Sequence, residues 1–149
     1  MSNKAVVDDF ISQKALAVIG VSRRRQKFGN MAYRELKAKG YQLYPIHPSA
    51  KTLEGDRAYA DFKSLPEKVG GVLIVVPPAQ AEKVVRAAHA AGIPRVWMQQ
   101  GSESETAVRF CKENGIAEVH GECILMFAGK SAFHKPHRWL WQLLGKAPK

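Results

Sequence analysis

The stretch from Leu16 to Gly40 constrains the possible fold more than any other part of the sequence. It begins with an apolar run that stops at Gly20, continues through a basic loop over residues 21–28, and ends in a helix-like segment over about 29–39. An apolar run that stops at glycine predicts a buried strand followed by a tight turn. Gly40 stands where a helix commonly ends. A strand, a glycine turn and a helix N-terminus together predict an anion-binding site.

The basic residues are concentrated beside this turn and at the other end of the chain. The net charge is +10, but residues 21–30 and 123–149 contain basic groups and no acidic one, while the rest of the sequence is nearly balanced. Three arginines and a lysine at the turn predict a ligand that carries phosphate. A nucleic-acid-binding surface would spread its charge over a whole face, and the sequence has neither RNP-like aromatics nor a helix-turn-helix pattern. We therefore expect no nucleic-acid partner.

Further apolar runs alternate with helical patterns along the chain. Continuous apolar runs predict strands over 15–19, 41–46, 72–76, 95–98 and 116–119, and helical spacing predicts helices over 3–12, 29–39, 79–91 and 103–114. The third helix has an apolar stripe at 81, 84, 85 and 88, and the second has Met31, Ala32 and Leu36 as its candidate buried face. Ser102 and Glu105 have the spacing of a capping box. Residues 49–61 are predicted as loop, with one helical turn over 61–66.

This alternation predicts an α/β fold. Strands separated by helices of this length form βαβ units, and such units build a parallel sheet that helices cover on both faces. The prediction is a Rossmann-like, doubly wound parallel sheet of about five strands. The whole chain, residues 1–149, is expected to be one domain with a basic tail at about 128–149, which includes a short helix over 139–144.

Composition excludes several other classes of protein. No apolar run approaches the roughly 20 residues that span a bilayer, and the N-terminus has no signal-peptide pattern, so we expect a cytoplasmic protein without membrane contact. Two scattered cysteines, Cys111 and Cys123, give neither a disulfide framework nor a metal pair. They are expected to be buried or half-buried thiols, and we expect no metal site.

Unusual residues follow four of the predicted strands. In a doubly wound sheet, ligands bind in the crevice outside the carboxyl ends of the strands. Here the strand ends carry Gly20, then His47-Pro48 with Lys51 close behind, then Pro77-Pro78, then Gln99-Gln100-Gly101. The sequence therefore predicts that these residues lie around one ligand site.

A nicotinamide dinucleotide is the first ligand to test against this pattern. Its fingerprint requires G-x-G-x-x-G after the first strand and an acidic residue about 20 residues further on. Here the second glycine position is Ser22, the next glycine is Gly29, and the second predicted strand ends at His47 without Asp or Glu. The pattern fits NAD poorly, while the basic residues leave a 2′-phosphate, and so NADP, open.

Three segments together resemble one known family. They are AVIGVSR at 17–23, YPIHP at 44–48 and VVPP at 75–78. In order and spacing they resemble the CoA-binding domain proteins, which look like free-standing versions of the N-terminal domain of succinyl-CoA synthetase α subunits. The resemblance covers about residues 12–125.

The resemblance implies a ligand, coenzyme A or an acyl-CoA, and a set of residues around it. Gly20, Ser22 and Arg23 would hold the CoA phosphates, aided by Arg24, Arg25 or Lys27. Pro48 and Lys51 would border the adenosine, Val76 and Pro77 would line the pantetheine path, and Gln99 and Gly101 would lie near its outer end. Gly121-Glu122-Cys123 resembles the small turn after the fifth strand of the family, but it departs from the family's pattern, and Glu122 is assigned no role.

The resemblance also implies that the chain binds without catalysing. The catalytic histidine of the synthetase belongs to a later domain, so none of the five histidines is expected to take that role. The leading hypothesis is non-catalytic binding of CoA or an acyl-CoA. The alternatives are an NADP-type dinucleotide-binding protein or oxidoreductase, and a subunit of an acyl-CoA enzyme whose chemistry a partner chain supplies.

Overall fold

A computed structural model describes residues 4–128 of the 149-residue chain. The elements alternate between strands and helices as expected. Four helices are α1 (Lys4–Ile11), α2 (Phe28–Ala38), α3 (Pro78–Ala90) and α4 (Glu105–Glu113). Seven strands are β1 (Ala15–Ile19), β2 (Gln42–Ile46), β3 (Thr52–Leu53), β4 (Asp56–Arg57), β5 (Gly71–Ile74), β6 (Arg95–Gln99) and β7 (Ala117–Glu122). The part of the chain described here includes no helix both long and apolar enough to cross a membrane.

Five of the strands form one parallel sheet in the order β2-β1-β5-β6-β7. The chain therefore moves outward from β1 to β2, returns past β1, and then adds strands on the other side. This is one of the two common doubly wound orders, and its switch point lies between the first and third parallel strands, here β1 and β5. The predicted Rossmann-like α/β fold is confirmed.

Strand composition follows position in the sheet. All four residues of β5 are buried, as expected for a central parallel strand covered on both faces. The edge strand β2 contains Pro45, which pairs with Val18 of β1. Proline is tolerated there because an edge strand has one side without ladder hydrogen bonds.

Helices cover both faces of the sheet. The apolar residues of α1 and α2, including Phe10, Tyr33 and Leu36, pack on one face with Trp97 of β6. On the other face, α3 and α4 bury residues such as Val85 and Cys111. The predicted stripe of α3 at 81, 84, 85 and 88 is buried as expected. In α2, Ala32 and Leu36 are buried, but Met31 is 41% exposed, so its assignment to the buried face was wrong.

Several predicted boundaries are corrected by the structure. Residues 49–61 are not all loop, because β3 and β4 pair there as a two-stranded antiparallel hairpin. The central strand ends at Ile74, two residues before its predicted end. Strand β7 extends through Glu122, so Gly121-Glu122 belongs to the strand rather than to a turn after it.

The predicted capping box at Ser102 is also wrong. The N-cap of α4 is Ser104, whose hydroxyl oxygen accepts a hydrogen bond from the Ala107 N–H at 3.1 Å. Ser102 instead accepts a bond from the Val76 N–H at 3.1 Å, because the loops after β5 and β6 run side by side. The helical turn predicted over 61–66 is present at Phe62–Ser64 and is capped by Asp61. The predicted tail helix over 139–144 lies outside the described residues.

Candidate functional site

The glycine turn lies at the switch point of the sheet. Gly20 directly follows β1, and a Cβ atom placed on it would be 2.0 Å from the Val75 carbonyl oxygen, just beyond the end of β5. Its φ of +121° is also one that side chains with a Cβ rarely adopt. Only glycine therefore fits where the ends of β1 and β5 meet.

A second glycine lets α2 approach this turn. A Cβ atom on Gly29 would be 2.3 Å from the Gly20 carbonyl oxygen. Close approach of helix to strand is the role of the last glycine in the dinucleotide fingerprint. The sequence pattern gave Gly29 no role because its spacing from Gly20 is too long for that fingerprint. The longer basic loop accounts for the extra residues.

A buried asparagine holds the basic loop in place. Asn30 is fully buried in the first turn of α2. Its Oδ1 accepts a hydrogen bond from the Ser22 N–H at 2.9 Å, and its Nδ2 donates to the Ser22 carbonyl at 2.7 Å and to Glu54 Oε2 at 2.8 Å. The loop is therefore fixed at Ser22 by side-chain contacts. Sequence reasoning missed Asn30, although a polar residue next to the predicted buried positions of this helix could have indicated it.

Glu54 fixes the β3–β4 hairpin against the same loop. Its side chain is 3% exposed and pairs with Arg34 at 2.7 Å and with Arg25 at 3.4 Å. Burial alone would raise the pKa of this carboxyl group, but hydrogen bonds from Asn30, Arg34 and Arg25 outweigh burial and hold the pKa below its usual range. The carboxylate therefore stays charged, and it pairs with the Arg25 guanidinium.

Arg23 connects the glycine turn to the loop after β2. Its Nη2 donates to Ser49 Oγ at 3.3 Å. In that loop, His47 Nδ1 accepts hydrogen bonds from the backbone N–H groups of Ser49 at 3.1 Å and Ala50 at 3.0 Å. Burial, followed by the nearby charge of Arg23, lowers the pKa of His47. The imidazole is therefore neutral, with its Nδ1 serving as an acceptor.

The N-terminus of α2 is open to an anion. Its N-cap residue, Lys27, makes no side-chain capping bond, and the first turn has no acidic residue. The first backbone N–H groups of a helix and its dipole attract negative charge. The exposed side chains of Arg23, Arg24 and Lys27 stand on the same loop, and the Arg24 guanidinium has no partner among residues 4–128. This loop and helix end are an electropositive surface beside the glycine turn.

Two grooves adjoin this surface. One, of about 620 Å³, follows β2 and is lined by Pro48, Lys51 and Arg57 among others. The other, of about 400 Å³, lies at the ends of β5 and β6, and we call it the strand-end groove. The strand-end groove is lined by Phe28, Val75, Val76, Pro77, Gln99, Gln100, Gly101, Ser102 and Cys123.

The structure thus brings most of the sequence-predicted residues to one edge of the sheet. Gly20, Ser22 and Arg23 lie at the turn, Pro48 and Lys51 line the groove on one side, and the strand-end groove on the other side contains the four predicted pantetheine-path residues Val76, Pro77, Gln99 and Gly101. Arg25 is the exception, because its guanidinium pairs with Glu54.

A larger groove, of about 840 Å³, lies at the opposite edge of the sheet. It is lined by residues that precede β5 and β6, such as Val69 and Ile93. It contains none of the predicted site residues. Since ligands of doubly wound sheets bind at the carboxyl ends of the strands, we place the candidate site at the glycine turn rather than in this groove. Among residues 4–128, no group of three or more His, Cys, Asp or Glu side chains could hold a metal ion.

A doubly wound parallel sheet with a glycine turn, an uncapped helix end and basic side chains at its switch point defines a class, the Rossmann-like α/β domains. The comparison with protein-family models gives the particular family. The chain belongs to the CoA-binding domain family, whose model matches residues 14–128.

Individual relatives include small proteins and parts of large enzymes. The uncharacterized protein YneT of Bacillus subtilis is 25% identical over 123 residues, which are 82% of this chain and 91% of YneT. A conserved hypothetical protein of Pyrococcus furiosus has a solved structure with 33% identity and a TM-score of 0.72, covering 76% of this chain and 97% of that one.

The enzyme relatives are much longer than the matched region. The α subunit of the ADP-forming acetate–CoA ligase II of P. furiosus is 33% identical over 73 residues, which are 48% of this chain but 16% of the subunit. The structure of a dinucleotide-forming acetyl-coenzyme A synthetase of Ca. Korarchaeum cryptofilum matches with 28% identity and a TM-score of 0.65, covering 74% of this chain and 26% of the synthetase. The domain therefore occurs both in small proteins and within acyl-CoA enzymes.

Proposed function

We propose that this protein binds coenzyme A or an acyl-CoA and does not itself catalyse a reaction. One observation carries the proposal: an electropositive glycine turn lies between two grooves at the switch point of the sheet. CoA has a matching arrangement, with a pyrophosphate between an adenosine 3′-phosphate at one end and a pantetheine arm at the other.

In this proposal each part of CoA meets a different group of residues. The pyrophosphate lies over Gly20 and Ser22 at the N-terminus of α2, with Arg23, Arg24 and Lys27 supplying positive charge. The adenosine enters the groove bordered by Pro48 and Lys51. The pantetheine arm follows Val76 and Pro77 toward Gln99 and Gly101 in the strand-end groove. The membership of the chain in the CoA-binding domain family supports CoA as the ligand.

One observation favours an NADP-type dinucleotide as a second candidate. Gly29 makes the close helix–strand approach that the dinucleotide fingerprint requires, even though its spacing is unusual. Against it, Ser22 stands at the second glycine position of that fingerprint. NAD meets a further objection, because β2 ends at Ile46 and the residues that follow, His47 to Ala50, offer no carboxylate to a ribose hydroxyl. We therefore rank the nicotinamide nucleotide below CoA.

A third candidate is a partner-dependent subunit of an acyl-CoA enzyme. The match to the acetate–CoA ligase α subunit supports it. In that case the chain would supply the CoA site and another chain the chemistry. The purified protein alone, incubated with acetyl-CoA or succinyl-CoA, is expected to leave both thioesters intact. Turnover that disappears when a residue of the grooves is changed would refute the non-catalytic part of the proposal.

The direct test is mass spectrometry of the protein isolated from its native host under mild conditions. Bound CoA or a CoA thioester should be released on denaturation, and its mass would also identify any acyl group. Release of a nicotinamide dinucleotide instead would refute the proposal.

A further inference from the structure

Within residues 4–128, two buried side chains in the strand-end groove have hydrogen atoms without an acceptor. Gln99 is 4% exposed and Ser102 is 5% exposed. Neither the Gln99 Nε2 group nor the Ser102 hydroxyl hydrogen has an acceptor among residues 4–128, although each side chain accepts a bond through its oxygen. Buried donors are almost always paired with protein, water or ligand. An oxygen from outside residues 4–128 is therefore expected beside them, and a bound ligand can supply it.

The hydrogen bonds that the two side chains accept determine which of their hydrogen atoms can be donated to a ligand. Gln99 Oε1 accepts a hydrogen bond from the Ile124 N–H at 3.0 Å, so the amide cannot be flipped without leaving that N–H unpaired. Ser102 Oγ accepts from the Val76 N–H at 3.1 Å, so its hydrogen must point elsewhere. These two hydrogen bonds from backbone N–H groups fix the positions of both side chains without a ligand.

The residues around the two donors indicate which kind of ligand group would accept their hydrogen bonds. The groove walls contributed by Phe28, Val76 and Pro77 are largely apolar. A ligand oxygen that accepts bonds, attached to an apolar or neutral body, fits such a site better than a free thiol does, because sulfur is a weak acceptor. At about 400 Å³ the groove is near the lower end of the range for ligand pockets, so it suits the end of a pantetheine arm with a small group attached.

We infer that the strand-end groove selects an acyl thioester of CoA, whose carbonyl oxygen accepts hydrogen bonds from Gln99 Nε2 and the Ser102 hydroxyl. The inference rests on the proposed CoA binding and goes beyond it, because it makes the thioester, rather than free CoA, the preferred ligand. Gln99 and Ser102 are then specificity-determining residues.

A set of three ligands isolates the carbonyl oxygen. Acetyl-CoA and S-ethyl-CoA both carry a two-carbon group on sulfur, but only acetyl-CoA has the carbonyl; CoA has neither. In calorimetric titrations the wild type should bind acetyl-CoA about tenfold more tightly than S-ethyl-CoA, as expected for one or two additional neutral hydrogen bonds.

Variants then test whether the two named side chains cause this preference. Gln99→Met removes the donor without adding charge, and Gln99→Glu keeps an oxygen for the Ile124 N–H. Both should reduce the preference for acetyl-CoA over S-ethyl-CoA to about twofold or less. Ser102→Ala should reduce it in part. Gln80→Glu is the matched control, since Gln80 is exposed on α3 and does not line the strand-end groove, and its change adds the same charge; it should keep the wild-type ratio. Thermal melting of each variant identifies any that do not fold.

Three results would overturn the inference, and they differ from one another. Equal binding of acetyl-CoA and S-ethyl-CoA by the wild type would refute thioester selection while CoA binding stands. A folded Gln99 variant that weakens the binding of acetyl-CoA and S-ethyl-CoA by the same factor would refute selection of the thioester by Gln99. Its amide would then bind a carbonyl of the pantetheine arm, which both ligands share. Failure of the folded wild type to bind any of the three ligands would refute the proposed function itself.

Discussion

Replacement of Arg23 by alanine tests the phosphate site most specifically. This side chain is exposed, and with residues 4–128 it makes one long hydrogen bond, 3.3 Å, to the Ser49 hydroxyl. Its other guanidinium donors are available to a ligand. A hydrogen bond to a charged group contributes about 1.5–3 kcal/mol. Since about 1.4 kcal/mol corresponds to a tenfold change in affinity, Arg23→Ala should weaken CoA binding by roughly ten- to a hundredfold.

Arg25 offers a matched control two residues away. Its guanidinium is paired with Glu54 at 3.4 Å, and its side chain is 73% exposed. Such exposed pairs contribute about 0–1 kcal/mol, and the Arg25 guanidinium already contacts the Glu54 carboxylate, which it shares with Arg34. Arg25→Ala should therefore change CoA affinity less than about threefold. The two variants remove the same charge from the same loop, so net charge cannot explain a difference between them.

Calorimetry at low and high ionic strength measures both effects. Salt should weaken CoA binding to the wild type more than to Arg23→Ala, because screening acts on a charge that the variant lacks. The melting temperature of Arg23→Ala should be close to that of the wild type, since the side chain is exposed. If Arg23→Ala binds CoA like the wild type at low salt and melts normally, the phosphate site has been placed incorrectly.

Three further predictions concern stability and reactivity. Gly20→Ala should lower the free energy of unfolding by about 3 kcal/mol or more, because the added Cβ would lie 2.0 Å from a carbonyl oxygen. The added Cβ of Gly55→Ala would meet no atom, so this control should lower it by about 1 kcal/mol. Urea titration measures both changes. Burial, and secondarily a nearby carboxylate, raises the pKa of Cys111 to about 12. An aromatic disulfide reagent should therefore modify only Cys123 in the folded protein. Both thiols should react after unfolding. The pKa of His47 is lowered in the folded state, so below about pH 6.5 the unfolded chain binds a proton that the folded chain does not. The contribution of His47 to the free energy of unfolding should therefore be complete above that pH and lost as the pH falls through the lowered pKa. His47→Asn should flatten this part of the pH–stability curve.

The fold was predictable because its strongest features repeat at short range. The continuous apolar run at 72–76 and the stripe of α3 at 81, 84, 85 and 88 follow from strand and helix periodicity, and the structure shows both as buried. Boundaries were less predictable. Ser102 and Ser104 are both possible helix caps in the sequence, and only the packing of the loop after β5, whose Val76 N–H binds Ser102, distinguishes them.

The arrangement of the candidate site depends on contacts between residues distant in the sequence. Asn30 and Glu54 are 24 residues apart, and their hydrogen bond joins α2 to a hairpin whose strands are only two residues long. No periodic pattern can indicate strands that short. The pairing of Glu54 with Arg25 likewise distinguishes this arginine from Arg24 and Lys27, the two other residues that sequence reasoning offered as helpers of Arg23.

The most direct test of the central claim is a calorimetric titration of the purified protein with CoA, NADP and NAD under identical conditions. All three ligands contain a pyrophosphate and an adenosine, so the comparison isolates the parts that differ: the pantetheine arm, the nicotinamide riboside and the phosphate on the adenosine ribose. CoA or acetyl-CoA should bind more tightly than either nicotinamide nucleotide, because the groove after β5 and β6 suits the pantetheine arm. NAD should bind weakly for a second reason, since no carboxylate follows β2 to accept a bond from its ribose. Equal or tighter binding of NADP or NAD would contradict the account.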